Sequence, residues 1–150
     1  MNLTLRPAII TDASVIHFLI KELAYYERLP DHVVCTVDDL KASLFERHEA
    51  NVILAELDGT VIGFALYYFN YSTFLGRKGL YMEDLFVIEK FRRHGIGKTL
   101  FMKLIEIAKA ENCGRMDFSV LYWNAPALAF YIRQGAKPLK DWTVYRIEIQ

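Results

Sequence analysis

Three observations predict an α/β (α+β) fold built on a mixed sheet. β-rich runs and helical periods follow one another in the order β-α-α-β-β-β-α-β-α-β-β. Two of the runs meet at an Asp58-Gly59 turn, which makes an antiparallel hairpin. The longest amphipathic helical pattern stands between two β-rich runs, as a crossover does. At 150 residues, 53% hydrophobic and 14% aromatic, the polymer is long enough to build a core. No Pro/Gly/Ser-rich linker, repeat or low-complexity stretch divides it, so residues 1–150 are expected to form a single domain.

Asn2 to Ile9 alternates as a strand. Thr11-Asp12 supplies a helix cap ahead of Val15, Ile16, Leu19, Ile20 and Leu23, which recur at the 3.6-residue period, and Pro30 requires that helix to have ended. Thr36 and Asp39 have the spacing of a capping box and open a short helix through Leu40 and Leu44. Val52 to Leu57 and Val61 to Phe69 flank the Asp58-Gly59 turn as hairpin strands, and Leu80 to Ile88 reads as a third central strand. From Gly95 to Glu111, Ile96, Leu100, Leu104, Ile107 and Ala108 mark one helix face, with Gly114 as its stop. Met116 to Tyr122 is a strand, and Asn124 to Gln134 a helix with Pro126 in its first turn and Gly135 after its end. Strands around Lys137 to Leu139 and Thr143 to Ile149 complete the expected order.

Composition removes several function classes. Eighteen basic and eighteen acidic residues cancel, so nothing drives broad attraction to nucleic acid or to an anionic membrane. Cys35 and Cys113 stand far apart without a C-x-x-C, and His17, His32, His48 and His94 have no ligand spacing, so no metal site is expected. The first residues lack an apolar stretch of signal-peptide length, and the run FALYYF at 64–69 is too short to span a bilayer. A soluble, cytoplasmic protein with reduced thiols is expected.

The segment RRHGIGKT, residues 92–99, falls between a strand and the start of the best helix, where backbone N–H groups have no intrahelical partner. Gly95 and Gly97 let an anion approach the backbone, and Arg92, Arg93 and Lys98 add positive charge. A pyrophosphate suits that chemistry, whereas an ordinary solvated turn does not need two glycines and three cations. A Walker A loop needs glycine where Arg92 stands, and a dinucleotide fingerprint is broken at Leu100.

What the segment does contain is R-x-x-G-x-G, as Arg92-Arg93-His94-Gly95-Ile96-Gly97. With KELAYYE (21–27), GFALYYFNYST (63–73), LYMEDLFV (80–87) and WNAPALAFYIRQGA (123–136), the chain resembles the GNAT superfamily of acetyl-CoA-dependent N-acetyltransferases. Within it, the chain resembles the spermidine/spermine group. The resemblance implies a mixed, mostly antiparallel central sheet of about seven strands flanked by about four helices. It implies acetyl-CoA as cosubstrate, held by the backbone of Leu85, Phe86 and Val87, by the loop Arg92, Arg93, His94, Gly95, Ile96, Gly97 and Lys98, and by Asn124. Asn124 also suits a helix N-cap. A homodimer is implied in the same way.

Acetyl transfer to an amine needs a neutral amine, a stabilised oxyanion and a proton for the departing thiolate. Removing the proton of an alkylamine with pKa ~10.4 at pH 7 costs roughly 4–5 kcal/mol. Glu83 and Asp84 interrupt an otherwise apolar strand. Side chains alternate along a strand, so at most one of them is expected to face a given cleft. The resemblance gives Glu83 substrate contact and a base role, through water or directly. It makes Tyr131, in FYIRQGA, the general acid, where the bare sequence reads a core aromatic. Tyr26 and Glu27 match the group's substrate-contacting pair and, with Glu83 and Asp84, make up the expected acceptor site. Ser72 and Phe74 depart from the polyamine branch, and Tyr71-Ser72-Thr73 is similar to the branch that acetylates thialysine. A small diamine or lysine-like acceptor is therefore expected. The competing expectations are a GNAT acting on a protein or another amine, and a non-catalytic acyl-CoA-sensing module.

Overall fold

The structure, a computed structural model, describes residues 2–150 and contains five strands and four α-helices. The strands are β1 (Leu3–Pro7), β2 (Asn51–Leu57), β3 (Thr60–Ser72), β4 (Arg77–Val87) and β5 (Met116–Asp117). The helices are α1 (Ala13–Tyr26), α2 (Val37–Leu40, continued as a π-helical turn over Lys41–Glu46), α3 (Ile96–Ala110) and α4 (Ala125–Arg133). The chain forms two compact units, one through Ser119 and one from Val120 to Gln150.

In the first unit the strands lie in the order β1-β2-β3-β4-β5, antiparallel except for the parallel pairing of β4 with β5. The hairpin turn between β2 and β3 puts Asp58 (φ 51°) and Gly59 (φ 85°) in the left-handed region, the twist that a two-residue hairpin requires. Leu54, Phe64 and Phe86 stand in register across three strands and are buried with Ile16, Leu19 and Leu23 of α1 and with Leu40 and Leu44. The helix α3 packs on β2, β3 and β4 through fully buried Leu100 and Leu104. Removing a side chain such as Leu19 or Leu54 from a core of this kind costs about 2–5 kcal/mol.

Four expectations need correction. The sheet has five strands, not about seven. The run after β4 is a strand only at Met116–Asp117, and among the described residues Lys137–Leu139 and Thr143–Ile149 form no strand at all. Those terminal runs have the period of a strand but no neighbour to complete their backbone hydrogen bonds. Asp12 makes no side-chain cap to α1; it accepts from Ile9 N at 2.7 Å and takes a bidentate contact from Arg6 at 2.8 and 2.9 Å. Lastly, Gly114 does not stop α3. Asn112 takes the left-handed position (φ 57°), with Asn112 N bonded to Lys109 O and Cys113 N to Ala108 O. The Thr36–Asp39 capping box forms as expected, with both reciprocal bonds present.

The second unit is built around α4. Asn124 Oδ1 accepts from Ala127 N at 3.3 Å, Pro126 lies in the first turn, and Gly135 (φ 96°) closes the helix.

Candidate active site

At the acyl-donor end, backbone dominates. The parallel ladder joins β4 to β5 only at Leu80–Met116 and Tyr81–Asp117. Beyond Tyr81, among the described residues, that edge of β4 has no strand beside it, so polar groups along Met82–Val87 are left for another partner. This is the stretch that carries Leu85, Phe86 and Val87. The chain then makes a short 3₁₀ turn over Glu89–Phe91 and reaches the loop that ends in α3. Arg93 (φ 68°) and Gly95 (φ 77°, the N-cap) are both left-handed. A non-glycine residue holds that conformation at a cost, and such residues gather at ligand loops.

Gly97 lies inside the first turn of α3, where glycine weakens a helix by roughly 0.5–1 kcal/mol relative to alanine. A Cβ on Gly95 or Gly97 would meet nothing within 4 Å. Internal packing therefore does not require Gly97, and the room above it is open to a ligand. Ile96 is buried and anchors the helix start, while His94 and Lys98 are exposed. An anion such as a pyrophosphate fits this cradle: open space, first-turn N–H groups without intrahelical acceptors, and cations beside them.

At the acceptor end, side chains dominate. Leu66 opposes Asp84 and Tyr67 opposes Met82, so Glu83 is an extra residue in β4, a bulge. The alternation that would send Glu83 and Asp84 to opposite faces therefore fails across Met82–Asp84. Burial pushes the Asp84 carboxyl up to about 7, and the charges of Glu83 and Glu27 push in the same direction. Burial, then the charge of Glu83, also raises Glu27. Glu27, Glu83 and Asp84 thus form one electrostatic cluster assembled from the end of α1 and from β4. Glu27 caps α1, and Arg28 follows in the left-handed region (φ 64°), with Arg28 N bonded to Tyr25 O and Leu29 N to Ala24 O.

Two tyrosines beside this cluster are not singled out by the sequence. Tyr68 and Tyr81 are cross-strand partners whose rings stack 5.2 Å apart, and Tyr81 Oη shares a 3.0 Å hydrogen bond with Ser119 Oγ. Burial and then the charge of Glu83 raise the Tyr68 phenol. Only the register between β3 and β4 brings these rings together.

Arg92, expected among the anion-binding cations, has contacts to β4 and to the end of α1. Its Nε donates to Val87 O at 2.7 Å, and its guanidinium carbon lies 4.5 Å from the centre of the Tyr26 ring and 5.1 Å from that of Phe86. The remaining sequence candidates lie in the second unit. Asn124 is buried as the N-cap of α4, and Tyr131, half-buried on the same helix, meets Phe130 edge to face at 5.2 Å. Among the described residues, no group of three or more His, Cys, Asp or Glu is placed to hold a metal ion.

Comparison with known proteins assigns the family. The profile described as the acetyltransferase (GNAT) family matches residues 17–136. A thialysine N-epsilon-acetyltransferase of Bos taurus is 36% identical over 142 residues, covering 87% of this chain and 83% of its own. An L-ornithine N5-acetyltransferase of Arabidopsis thaliana is 29% identical, covering 95% and 83%. Among solved structures, an integron cassette protein from the mobile metagenome of V. cholerae superimposes with a TM-score of 0.82 at 28% identity, covering 99% of this chain and 93% of that one. The chain belongs to the GNAT family of N-acetyltransferases, whose acetyl donor is acetyl-CoA.

Proposed function

We propose that this GNAT acetyltransferase moves the acetyl group of acetyl-CoA directly to a primary amine of a small diamine, polyamine or lysine-like acceptor such as thialysine. The observation that carries this reading is the cluster of Glu27, Glu83 and Asp84, which suits a cation better than a neutral or anionic acceptor. A second amine on the acceptor would stay protonated and face one carboxylate while the first is acetylated. The thialysine and ornithine specificities named for the two relatives support an acceptor of that size.

In this reading Glu83, directly or through a water, takes a proton from the acceptor ammonium. The neutral amine attacks the thioester carbonyl, and the oxyanion accepts hydrogen bonds from N–H groups on the open edge of β4 near Leu85–Val87. Collapse breaks the C–S bond, and Tyr131 gives its phenolic proton to the thiolate, an assignment that rests on the FYIRQGA segment; the second proton lost by the attacking nitrogen passes through water to the Tyr131 phenolate, and the proton on Glu83 leaves to solvent. The loop from Arg93 to Lys98 and Asn124 hold the cosubstrate. Tyr26 and Glu27 hold the acceptor.

Residues 1–150 act as one domain in this reading, in a reducing cytoplasm that suits free Cys35 and Cys113, and in a homodimer. The pairing is supported by the C-terminal run, where Trp142, Val144, Tyr145, Ile147 and Ile149 are 75–90% exposed. Val144-Tyr145-Arg146-Ile147-Glu148-Ile149 alternates as a strand, and its exposed apolar side chains are ones a second copy would cover. Light scattering is expected to give a dimer for the whole chain and a monomer for a chain ending at Asp141.

The deciding assay is CoA release across thialysine, lysine, ornithine, putrescine, spermidine, spermine and a lysine peptide. Turnover is expected on thialysine or a short diamine, falling about 10²–10⁴-fold in Tyr131→Phe with acetyl-CoA affinity kept. Turnover confined to the peptide would assign a protein acceptor, and acetyl-CoA binding with no turnover on any amine a sensing module.

A further inference from the structure

The structure assigns Arg92 as a positioning residue for the acceptor side of the site, although it opens the R-x-x-G-x-G motif of the acyl-donor loop. Among the described residues, it is the motif cation whose side-chain contacts run to two other elements, β4 and α1. The Nε–Val87 O bond fastens it to the last residue of β4, Phe86 is its neighbour in the buried cluster, and Tyr26 is the last residue of α1, directly before Glu27. A planar guanidinium held between two rings and a carbonyl acts as a clasp. It closes the end of α1 onto β4, and so carries Tyr26 and Glu27 to the strand that presents Glu83 and Asp84. The chain leaves Val87, turns over Glu89–Phe91 and returns within five residues, so Arg92 reaches Val87 without strain in a long loop. Among the described residues, Arg93 and Lys98 have no side-chain hydrogen bond, ion pair or ring contact of this kind and are left to the anion.

This inference rests on transfer to a cationic amine, and its test separates the two. Arg92→Lys keeps the charge but loses the planar surface and the Nε donor. For the whole chain it is expected to raise the amine KM about five- to tenfold and to change kcat and acetyl-CoA Kd less than about twofold; in a Tyr26→Leu background it is expected to raise the amine KM no further. Arg93→Ala is expected to show the opposite split, with weakened acetyl-CoA and an unchanged amine KM. Loss of acetyl-CoA affinity in Arg92→Lys with the amine KM unmoved overturns the assignment and returns Arg92 to the pyrophosphate. Hydrogen exchange at the Arg28 and Leu29 amides, which close the end of α1, supplies a readout that needs no acceptor. Faster exchange there in Arg92→Lys supports the clasp even if no amine is acetylated, and unchanged exchange refutes it.

Discussion

The two ends of the candidate site are built from different materials. The acyl-donor end is made of backbone: an open strand edge past Tyr81, a left-handed loop, and a glycine in a helix's first turn with empty space above it. The acceptor end is made of side chains: three carboxylates and a tyrosine stack, drawn from α1, β3 and β4 and arranged by a bulge at Glu83. Backbone sites read what every acetyl-CoA-dependent relative shares, whereas side-chain sites can change with a few substitutions. On the proposed function, the difference locates acceptor choice at the side-chain end. It also predicts that perturbations at one end leave the other intact.

The largest effect is expected at the acceptor end. Glu83→Gln keeps the size of the side chain but removes a base and a charge, and is expected to lower kcat on the preferred amine about 10²-fold or more. Acetyl-CoA Kd should stay within about twofold; titration calorimetry with acetyl-CoA alone, set beside steady-state kinetics, checks both halves. At the donor end, Gly97→Ala places a methyl in the open space and improves the helix. We expect the folded state to gain about 0.5–1 kcal/mol and acetyl-CoA affinity to fall about tenfold, a trade that denaturant melts and calorimetry measure together.

The smallest effect is a pH dependence. Asp84, raised to about 7 by burial and by Glu83 and Glu27, holds its proton in the folded state well above the pH at which the unfolded chain loses it. Between about pH 4 and 7 the folded state therefore binds more protons, and this group's contribution to stability falls as pH rises, then levels off. Asp84→Asn is expected to melt above the parent at pH 8 and to match it near pH 3.5. The parent's affinity for a cationic acceptor should weaken as pH drops through 7, and that step should be missing in the variant.

The residues proposed for the donor end lie close together in the sequence. Gly95, Gly97 and the cations around them are contiguous, and contiguity is what a motif can express. Local chemistry was equally legible in the Thr36–Asp39 box, the Asp58-Gly59 turn and the Asn124 cap. The acceptor end was legible only in part. Glu27 and Glu83 could be named, but alternation separated Glu83 from Asp84, because a one-residue bulge is set by the pairing of β3 and β4 and leaves no mark in β4 itself. The Tyr68–Tyr81 stack was hidden for the same reason. Arg92 reads as an anion-binding cation from its place in R-x-x-G-x-G, and only the fold shows its neighbours in space to be Tyr26, Phe86 and Val87. The terminal runs alternate like strands, but period alone cannot supply a neighbouring edge.

The most direct test of two independent ends is the acetyl-CoA affinity of a chain carrying Glu27→Gln, Glu83→Gln and Asp84→Asn together. The account predicts acetyl-CoA Kd within about twofold of the parent while turnover of every cationic amine is lost, since these substitutions leave the backbone N–H groups and loop cations of the donor end in place. A parallel collapse of acetyl-CoA affinity in a chain that still melts cooperatively would contradict it.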